Sequence, residues 1–165
     1  MQTEPSLLVV GESKYGRGAF APQWMGKGAR LIRYTGPLLR YEQTTPQTLA
    51  VQIGPDLYLG ESGGADDCVN HCCQPNAGLV ICGDASVPSG MTVDLIALRD
   101  IQPGEEVFFD YSTTMDEDDF EFDCGCGAPN CRGRIGDFKH LPESTRRRYA
   151  DLGIVPAYNL KYVTP

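Results

Sequence analysis

Three cysteines near the C-terminal end constrain the fold of this chain most strongly. Cys124, Cys126 and Cys131 lie within eight residues, and the glycines between and after them allow so short a segment to wrap around one tetrahedral ion. A closed structural site needs a fourth ligand, and Cys72-Cys73 is the obvious distant source. Zinc is the expected ion, because the ligands would be thiolates and the spacing is not that of a haem or ferredoxin motif. The alternative is three unpaired surface thiols.

The seven cysteines of the chain are interpreted as thiols or metal ligands rather than as disulfides. The first five residues carry no basic region ahead of an apolar one, so no secretory signal is visible and an intracellular, reducing location is expected. No apolar run approaches the length that spans a bilayer. Cys68 and Cys82 are predicted to be small buried hydrophobic residues.

Turn-forming residues divide the chain into short elements. Its 19 glycines and 12 prolines exceed the roughly 7% and 5% of average usage, which argues against long helices. Short β-type runs separated by turn residues predict a β-rich core to about residue 115. A short helix over residues 42–49, limited by Pro46, and a helix over residues 142–152 are also expected. The second has proline at its start and Gly153 just past its end.

The charge balance indicates the class of partner. The chain has 14 basic and 22 acidic side chains, a net charge of −8 and a pI near 4.7. This argues against direct nucleic-acid binding and favours a basic partner such as a Lys/Arg-rich tail. Residues 116–123 hold six acids and are expected to form a solvated loop or hinge. Their alternative role is to help bind a basic peptide.

Three further segments contain candidate functional residues, although each alone also has a structural interpretation. Asn70 and His71 begin a polar stretch around Pro75, typical of a loop that positions a substrate or cofactor, or of a structural turn. Residues 104–111 read as a turn followed by an aromatic core strand. Gly16-Arg17-Gly18 lacks the third glycine and the strand-helix context of a dinucleotide-binding loop, which excludes a Rossmann interpretation.

Taken in order along the chain, these segments resemble the SET-domain protein lysine methyltransferases. The resemblance covers about residues 7–136 and rests on Gly16-Arg17-Gly18, Tyr34-Thr35-Gly36, the stretch from Asn70 to Asn76, residues 104–111 and Cys124-Gly125-Cys126…Cys131-Arg132-Gly133. The last of these resembles the family's post-SET zinc motif. The implied fold is mainly β (β-rich α+β), with several small sheets, a pseudoknot, a post-SET zinc segment and a short C-terminal helix. The expected divisions are a SET domain over residues 5–115, a post-SET zinc motif over 120–136 and a helical tail over 137–165.

The family resemblance also implies an activity. It is the transfer of methyl groups from S-adenosylmethionine to the ε-amine of lysine in a protein, with histone tails as the leading substrate class. Two alternatives remain open: a catalytically idle SET-like zinc module that serves in protein interactions, and a methyltransferase of non-histone proteins. The location would be the nucleus in a eukaryote and otherwise the cytoplasm, with no membrane partner.

Individual residues carry these implied roles. S-adenosylmethionine would contact Gly16, Arg17, Gly18, Asn70, His71 and Tyr111. One structural zinc ion would be bound by Cys73, Cys124, Cys126 and Cys131. Tyr111 corresponds to the catalytic tyrosine, Tyr34 to an aromatic wall of the lysine channel, and Ile135 to another apolar channel contact. Phe109 occupies the position at which phenylalanine leaves room for di- or trimethylation.

The chain also departs from the family pattern. Asp67-Cys68-Val69 stands where arginine and phenylalanine usually precede the Asn-His pair, Pro37 stands where glutamate commonly follows Tyr-x-Gly, and Cys72 replaces a usual serine. None of these changes removes a named catalytic group.

Overall fold

The computed structural model describes residues 7–164, which fold into five small β-sheets, one short α-helix and several 3₁₀ turns. The helix, α1 (Glu143–Asp151), has nine residues, in agreement with the expectation that long helices are absent. Nowhere in residues 7–164 is a helix long and apolar enough to cross a membrane. The strands are β1 (Val9–Ser13), β2 (Gly16–Phe20), β3 (Arg30–Arg33), β4 (Leu38–Leu39), β5 (Val51–Gly54), β6 (Leu57–Leu59), β7 (Asn70–His71), β8 (Ala77–Cys82), β9 (Thr92–Ala97), β10 (Phe108–Phe109), β11 (Phe122–Asp123) and β12 (Arg134–Ile135).

The pairing of these strands confirms the predicted mainly β class of several small sheets. Antiparallel sheets run in the orders β3-β9-β8 and β4-β6-β5, and β1-β2 and β11-β12 form antiparallel pairs. The pair β7-β10 is parallel. Parallel strands need a long connection between them, so this pair brings together two segments that lie far apart in the chain.

The main core lies around the sheet β3-β9-β8. Along β9, Val93, Leu95 and Ala97 are buried while the residues between them are half-buried, as the two-residue period of a strand requires. Leu31 of β3 and Leu79 of β8 are fully buried in the same cluster. Each such side chain contributes about 1.5–3 kcal/mol through removal from water.

The C-terminal residues form a second buried cluster. Phe138, Leu141, Tyr149 and Ile154 pack together and against Val80 and Leu98 of the main body. Ile154 lies so close to Gly78 that a Cβ atom there would be 2.6 Å from Ile154 Cγ2. The tail is therefore packed against the strands of the core. The proposed domain boundaries remain predictions, and residues 5, 6 and 165 lie outside the described residues.

Two of the smaller predictions are wrong in part. Residues 42–49 do not form a helix: a 3₁₀ turn over Tyr41–Gln43 is followed by threonine-capped turns, because Pro46 has no N–H and threonine hydroxyls bind the local backbone. Cys68 is buried as expected, whereas Cys82, at the end of β8, is exposed. The helix predicted over residues 142–152 is confirmed by α1, which is followed by Gly153 at φ +72°.

Candidate functional site

The parallel pair β7-β10 is the framework of the candidate site. It places Asn70 opposite Phe108 and His71 opposite Phe109. The backbone N–H of Cys72 donates to the carbonyl of Phe109 at 3.2 Å, which extends the ladder. Residues from two distant predicted motifs thus become neighbours.

His71 connects the turn after β10 to the cysteine cluster. The backbone N–H of Tyr111 donates to His71 Nδ1 at 3.1 Å, so Nδ1 is the acceptor and the ring proton lies on Nε2. Nε2 lies 3.4 Å from Cys73 Sγ. Burial lowers the pKa of His71 to about 4, with Asp110 opposing this shift and Arg132 adding to it. The imidazole is therefore neutral at pH 7 and can donate to the Cys73 sulfur.

Three aromatic side chains form the buried end of a cavity of about 520 Å³. The Phe109 ring lies 4.7 Å from the Tyr111 ring and 6.4 Å from the Tyr34 ring, between centroids. Tyr111 Oη donates to the Val69 carbonyl at 2.8 Å. The Tyr34 hydroxyl is buried without a hydrogen-bond partner in the described part of the chain. Burial raises the pKa of both phenols, so both hydroxyls keep their protons at neutral pH.

The predicted cofactor residues contact one another beside β7. Asn70 Nδ2 donates to the Arg17 carbonyl at 2.7 Å and to Glu106 Oε1 at 2.9 Å, which leaves Asn70 Oδ1 available as an acceptor. Gly16 has φ +100°, a conformation that favours glycine. At Gly18 a Cβ would overlap the carboxylate of Glu106 and lie 2.9 Å from Ser13 Cβ. The glycines therefore let the β1-β2 hairpin lie close to Glu106 and Asn70.

The aromatic cavity and the predicted cofactor residues meet at Tyr111. Its ring lies 5.4 Å from the His71 ring, and Tyr111 also lines the cavity with Tyr34 and Phe109. Ile135, predicted as a channel contact, does not line that cavity. It is fully buried in β12, where it pairs with Phe122.

Phe122 is a site residue that the sequence reasoning missed. The centroid of its ring lies 5.4 Å from that of His71 and 5.9 Å from that of Tyr111. Phe122 therefore packs against both rings. The available signal was a pair of aromatic residues at alternate positions, Phe120 and Phe122, within an otherwise acidic segment.

The four predicted metal ligands come together. The sulfur atoms of Cys73, Cys124, Cys126 and Cys131 all lie within 4.8 Å of one another. Cys124 Sγ lies 3.9 Å from Cys73 Sγ and 3.8 Å from Cys131 Sγ. A Zn–S bond of about 2.3 Å gives a tetrahedron with S···S edges of roughly 3.8 Å, so these donors fit one zinc ion. Partial burial would raise the pKa of Cys126, but hydrogen bonds from the backbone of Cys73 and Ala128 lower it to about 6, which favours a thiolate.

Two basic residues attach the cysteine segment to the rest of the site. Lys14 Nζ donates to the carbonyls of Cys126 at 2.9 Å and Gly125 at 3.2 Å. Arg132 makes two hydrogen bonds to the buried carboxylate of Asp110 at 2.7 and 2.8 Å, and its backbone N–H lies 3.4 Å from Cys73 Sγ. The hairpin and the Tyr111 turn are therefore both tied to the cysteine cluster.

The loop predicted over residues 116–123 is found over residues 116–121. Phe122 and Asp123 form β11, which pairs with β12. Asp118 binds Lys139, Asp116 binds Lys161 at 2.9 Å, and Arg134 binds Glu121 at 2.8 Å. Several carboxylates of the predicted solvated loop are therefore ion-paired with basic residues later in the chain.

Comparison with known families identifies the fold. The SET domain model matches residues 16–112, more than half of the chain. The chain belongs to the SET domain family. The resemblance drawn from the sequence motifs is thereby confirmed.

Curated relatives of this SET domain are much longer proteins. The chain is 29% identical over 129 residues to the histone-lysine N-methyltransferase trr of Drosophila melanogaster, covering 71% of this chain and 5% of that protein. It is 40% identical over 74 residues to the H3 lysine-4 specific histone-lysine N-methyltransferase of Saccharomyces cerevisiae, covering 44% of this chain and 7% of that protein. It thus spans only a small part of either relative.

Solved structures share the same fold. The crystal structure of KRYPTONITE in complex with mCHG DNA and SAH matches with a TM-score of 0.62 and 25% identity, covering 77% of this chain and 28% of that one. A second KRYPTONITE structure, with mCHH DNA, an H3(1-15) peptide and SAH, matches with a TM-score of 0.60 at 24% identity, covering 77% of this chain and 29% of that one.

Proposed function

We propose that this SET domain is a protein-lysine N-methyltransferase that uses S-adenosylmethionine. The position of Tyr111 is the observation that carries the proposal. Tyr111 contacts His71, beside the residues assigned to the cofactor, and it lines the cavity with Tyr34 and Phe109. Tyr111 therefore lies where the predicted cofactor site meets the aromatic cavity. This position suits a reaction in which the methyl donor and the lysine amine must be aligned in line.

The cavity suits the chemistry of a lysine side chain. Only the neutral amine attacks, and lysine has a pKa of about 10.4, so deprotonation near pH 8 costs roughly 3 kcal/mol. Buried aromatic walls lower that cost because they disfavour the ammonium form. The protonated hydroxyls of Tyr34 and Tyr111 can orient the amine, so neither tyrosine needs to act as a base.

The residues around Asn70 fit S-adenosylmethionine, which supplies a methyl group on a sulfonium centre. Asn70 Oδ1, unused by the described residues, can accept from the amino group of the methionine moiety. The cofactor can approach the backbone of Gly16, Arg17 and Gly18 closely. It can also pack against the rings of His71, Tyr111 and Phe122. Zinc at the four cysteines would have a structural role, fixing residues 124–131 against β7.

The product is proposed to be di- or trimethyl-lysine. Phe109 is buried between Tyr34 and Tyr111 and carries no hydroxyl to hold a water there. Space for further methyl groups is therefore left free.

A histone tail is the proposed substrate, and the nucleus is the proposed location in a eukaryotic cell. Two observations support the substrate: the relatives are named for histone lysine methylation, and the net charge of −8 favours a basic peptide. The related KRYPTONITE structure with an H3 peptide supports a histone-tail substrate by analogy.

The test is transfer of labelled methyl groups from S-adenosylmethionine to core histones and, in parallel, to a whole-cell protein extract. Tyr111→Phe serves as the control. Label on histones that disappears in the variant supports the full proposal, while label only in the extract keeps the chemistry and moves the target to another protein. No label, together with no thermal shift on adding the cofactor, would favour the idle zinc module.

A further inference from the structure

The carboxylates of residues 116–123 divide into two groups. Asp116, Asp118, Glu121 and Asp123 are ion-paired with basic residues of the C-terminal part, namely Lys161, Lys139 and Arg134. Glu117 and Asp119 have no cationic partner among residues 7–164. Glu117 accepts a hydrogen bond from Gln52 Nε2 at 3.0 Å and Asp119 accepts one from Tyr41 Oη, so both are bound by neutral donors alone.

Both of these carboxylates line the aromatic cavity. They share its outer part with Tyr41 and Phe120, whose side chains are 42% and 43% exposed. Glu42 lines the cavity as well, while no Lys, Arg or His of the described chain does so. The outer part is therefore negatively charged and aromatic, a combination that suits a cation.

An independent feature of the same cavity lies at its buried end. Tyr34 is 8% exposed and lines the cavity, and its hydroxyl has no hydrogen-bond partner in the described chain. A buried hydroxyl without a partner is unfavourable, and an incoming polar group can form the missing hydrogen bond. The cavity thus offers two separate positions for basic groups: a buried one at Tyr34 and an exposed one at Glu117 and Asp119.

We infer that Glu117 and Asp119, with the rings of Tyr41 and Phe120, bind a second basic side chain of the substrate. The substrate is a peptide in which the target lysine enters the buried end while a neighbouring arginine occupies the outer part. Arginine fits better than lysine, because a planar guanidinium both pairs with carboxylates and stacks on aromatic rings. This inference rests on the proposed methyltransferase function and adds a sequence preference to it.

The experiment compares methylation of peptides that carry one lysine in a neutral background, with arginine or alanine placed at each flanking position in turn. At one or more positions on one side of the lysine, arginine should raise kcat/KM about five- to tenfold over alanine. That ratio should shrink as salt is added. In Glu117→Gln/Asp119→Asn the ratio should fall towards one.

Matched variants separate this subsite from general charge. Asp123→Asn/Asp151→Asn removes two acids that do not line the cavity and should keep the arginine preference. Asp119→Lys should reverse it, favouring glutamate over arginine at the same position. Equal kcat/KM for the arginine and alanine peptides, or a preference that survives in Glu117→Gln/Asp119→Asn, would overturn the inference while leaving methyl transfer itself established. Absence of methylation on every peptide, histone and extract protein would instead contradict the underlying function.

Discussion

Arg132 and Asp110 form a bidentate ion pair between the cysteine segment and the turn that carries Tyr111. The carboxylate is fully buried, and it also accepts a hydrogen bond from Tyr149 Oη at 2.9 Å. Arg132 follows the zinc-ligand candidate Cys131, and Asp110 precedes Tyr111. The pair therefore joins the cysteine cluster, the candidate active site and the C-terminal tail.

Arg132→Met should destabilise the protein by about 3 kcal/mol, because removal of one partner leaves the buried Asp110 carboxylate without its counter-ion. Asp110→Asn/Arg132→Met should be less destabilised than Arg132→Met alone, since the stranded charge is then absent. The free energies of unfolding from urea titrations, arranged as a double-mutant cycle, measure this coupling. A cost of less than 1 kcal/mol for Arg132→Met would contradict the assigned importance of the pair.

Zinc content should distinguish two adjacent cysteines. The purified protein should carry one zinc ion per chain, and Cys73→Ser should weaken zinc binding by more than the roughly 10- to 100-fold typical of losing an outer-shell partner. Cys72→Ser is the matched control and should retain the ion, because Cys72 lies outside the cluster of four sulfur atoms. Metal analysis after dialysis against a chelator measures this. Equal loss from both variants would exclude the assigned ligand set.

Removal of the Tyr34 hydroxyl should separate stability from activity. Tyr34→Phe should leave the free energy of unfolding unchanged or raise it by about 1 kcal/mol, because that hydroxyl is buried without a partner. Methyl transfer should nevertheless fall about tenfold as the amine loses an orienting group. Tyr158→Phe is the contrasting variant: its hydroxyl donates to the Thr114 carbonyl at 2.7 Å, so its loss should cost about 1 kcal/mol. A large destabilisation by Tyr34→Phe would show that its hydroxyl has a structural partner.

Phe109→Tyr should limit the product to monomethyl-lysine. The added hydroxyl would lie between Tyr34 and Tyr111 and hold a water where further methyl groups would need room. Phe108→Tyr is the control, because neighbouring residues of a strand point to opposite faces. The Phe108 ring packs against the Tyr15 ring, with 6.4 Å between centroids. Mass spectrometry of the methylated peptide over time gives the product distribution. Trimethyl-lysine formed equally by Phe109→Tyr and the parent protein would rule out this role.

The motifs and their order were sufficient to predict the family, the mainly β class and the set of four cysteines. The class and three of the cysteines depend on residue types that cluster locally, such as Cys124, Cys126 and Cys131, or on glycine and proline positions. Cys73 is remote in the chain and was expected through the family resemblance, and its sulfur lies 3.9 Å from Cys124 Sγ.

The partners of remote residues could not be predicted in the same way. A two-residue period indicates which face of a strand is buried, but it does not indicate which strand lies beside it. For this reason the contact of Phe122 with His71 and the pairing of Asp118 with Lys139 were not foreseen. The split of residues 116–123 into paired and unpaired carboxylates depends on how the tail folds back, which composition alone does not determine.

The pH dependence of methyl transfer tests whether the hydroxyls of Tyr34 and Tyr111 stay protonated while they orient the amine. Burial raises the pKa of Tyr34 and of Tyr111, so both phenols stay protonated across the range in which lysine loses its proton. The rate should therefore rise with pH as the neutral fraction of the substrate amine grows, with no falling limb below about pH 10, the ordinary pKa of tyrosine. The profile of Tyr34→Phe should run parallel to that of the parent protein at a lower rate. Single-turnover rates measured in overlapping buffers provide the profiles. A falling limb near pH 9 that is absent in Tyr34→Phe would show that Tyr34 ionises within the working pH range.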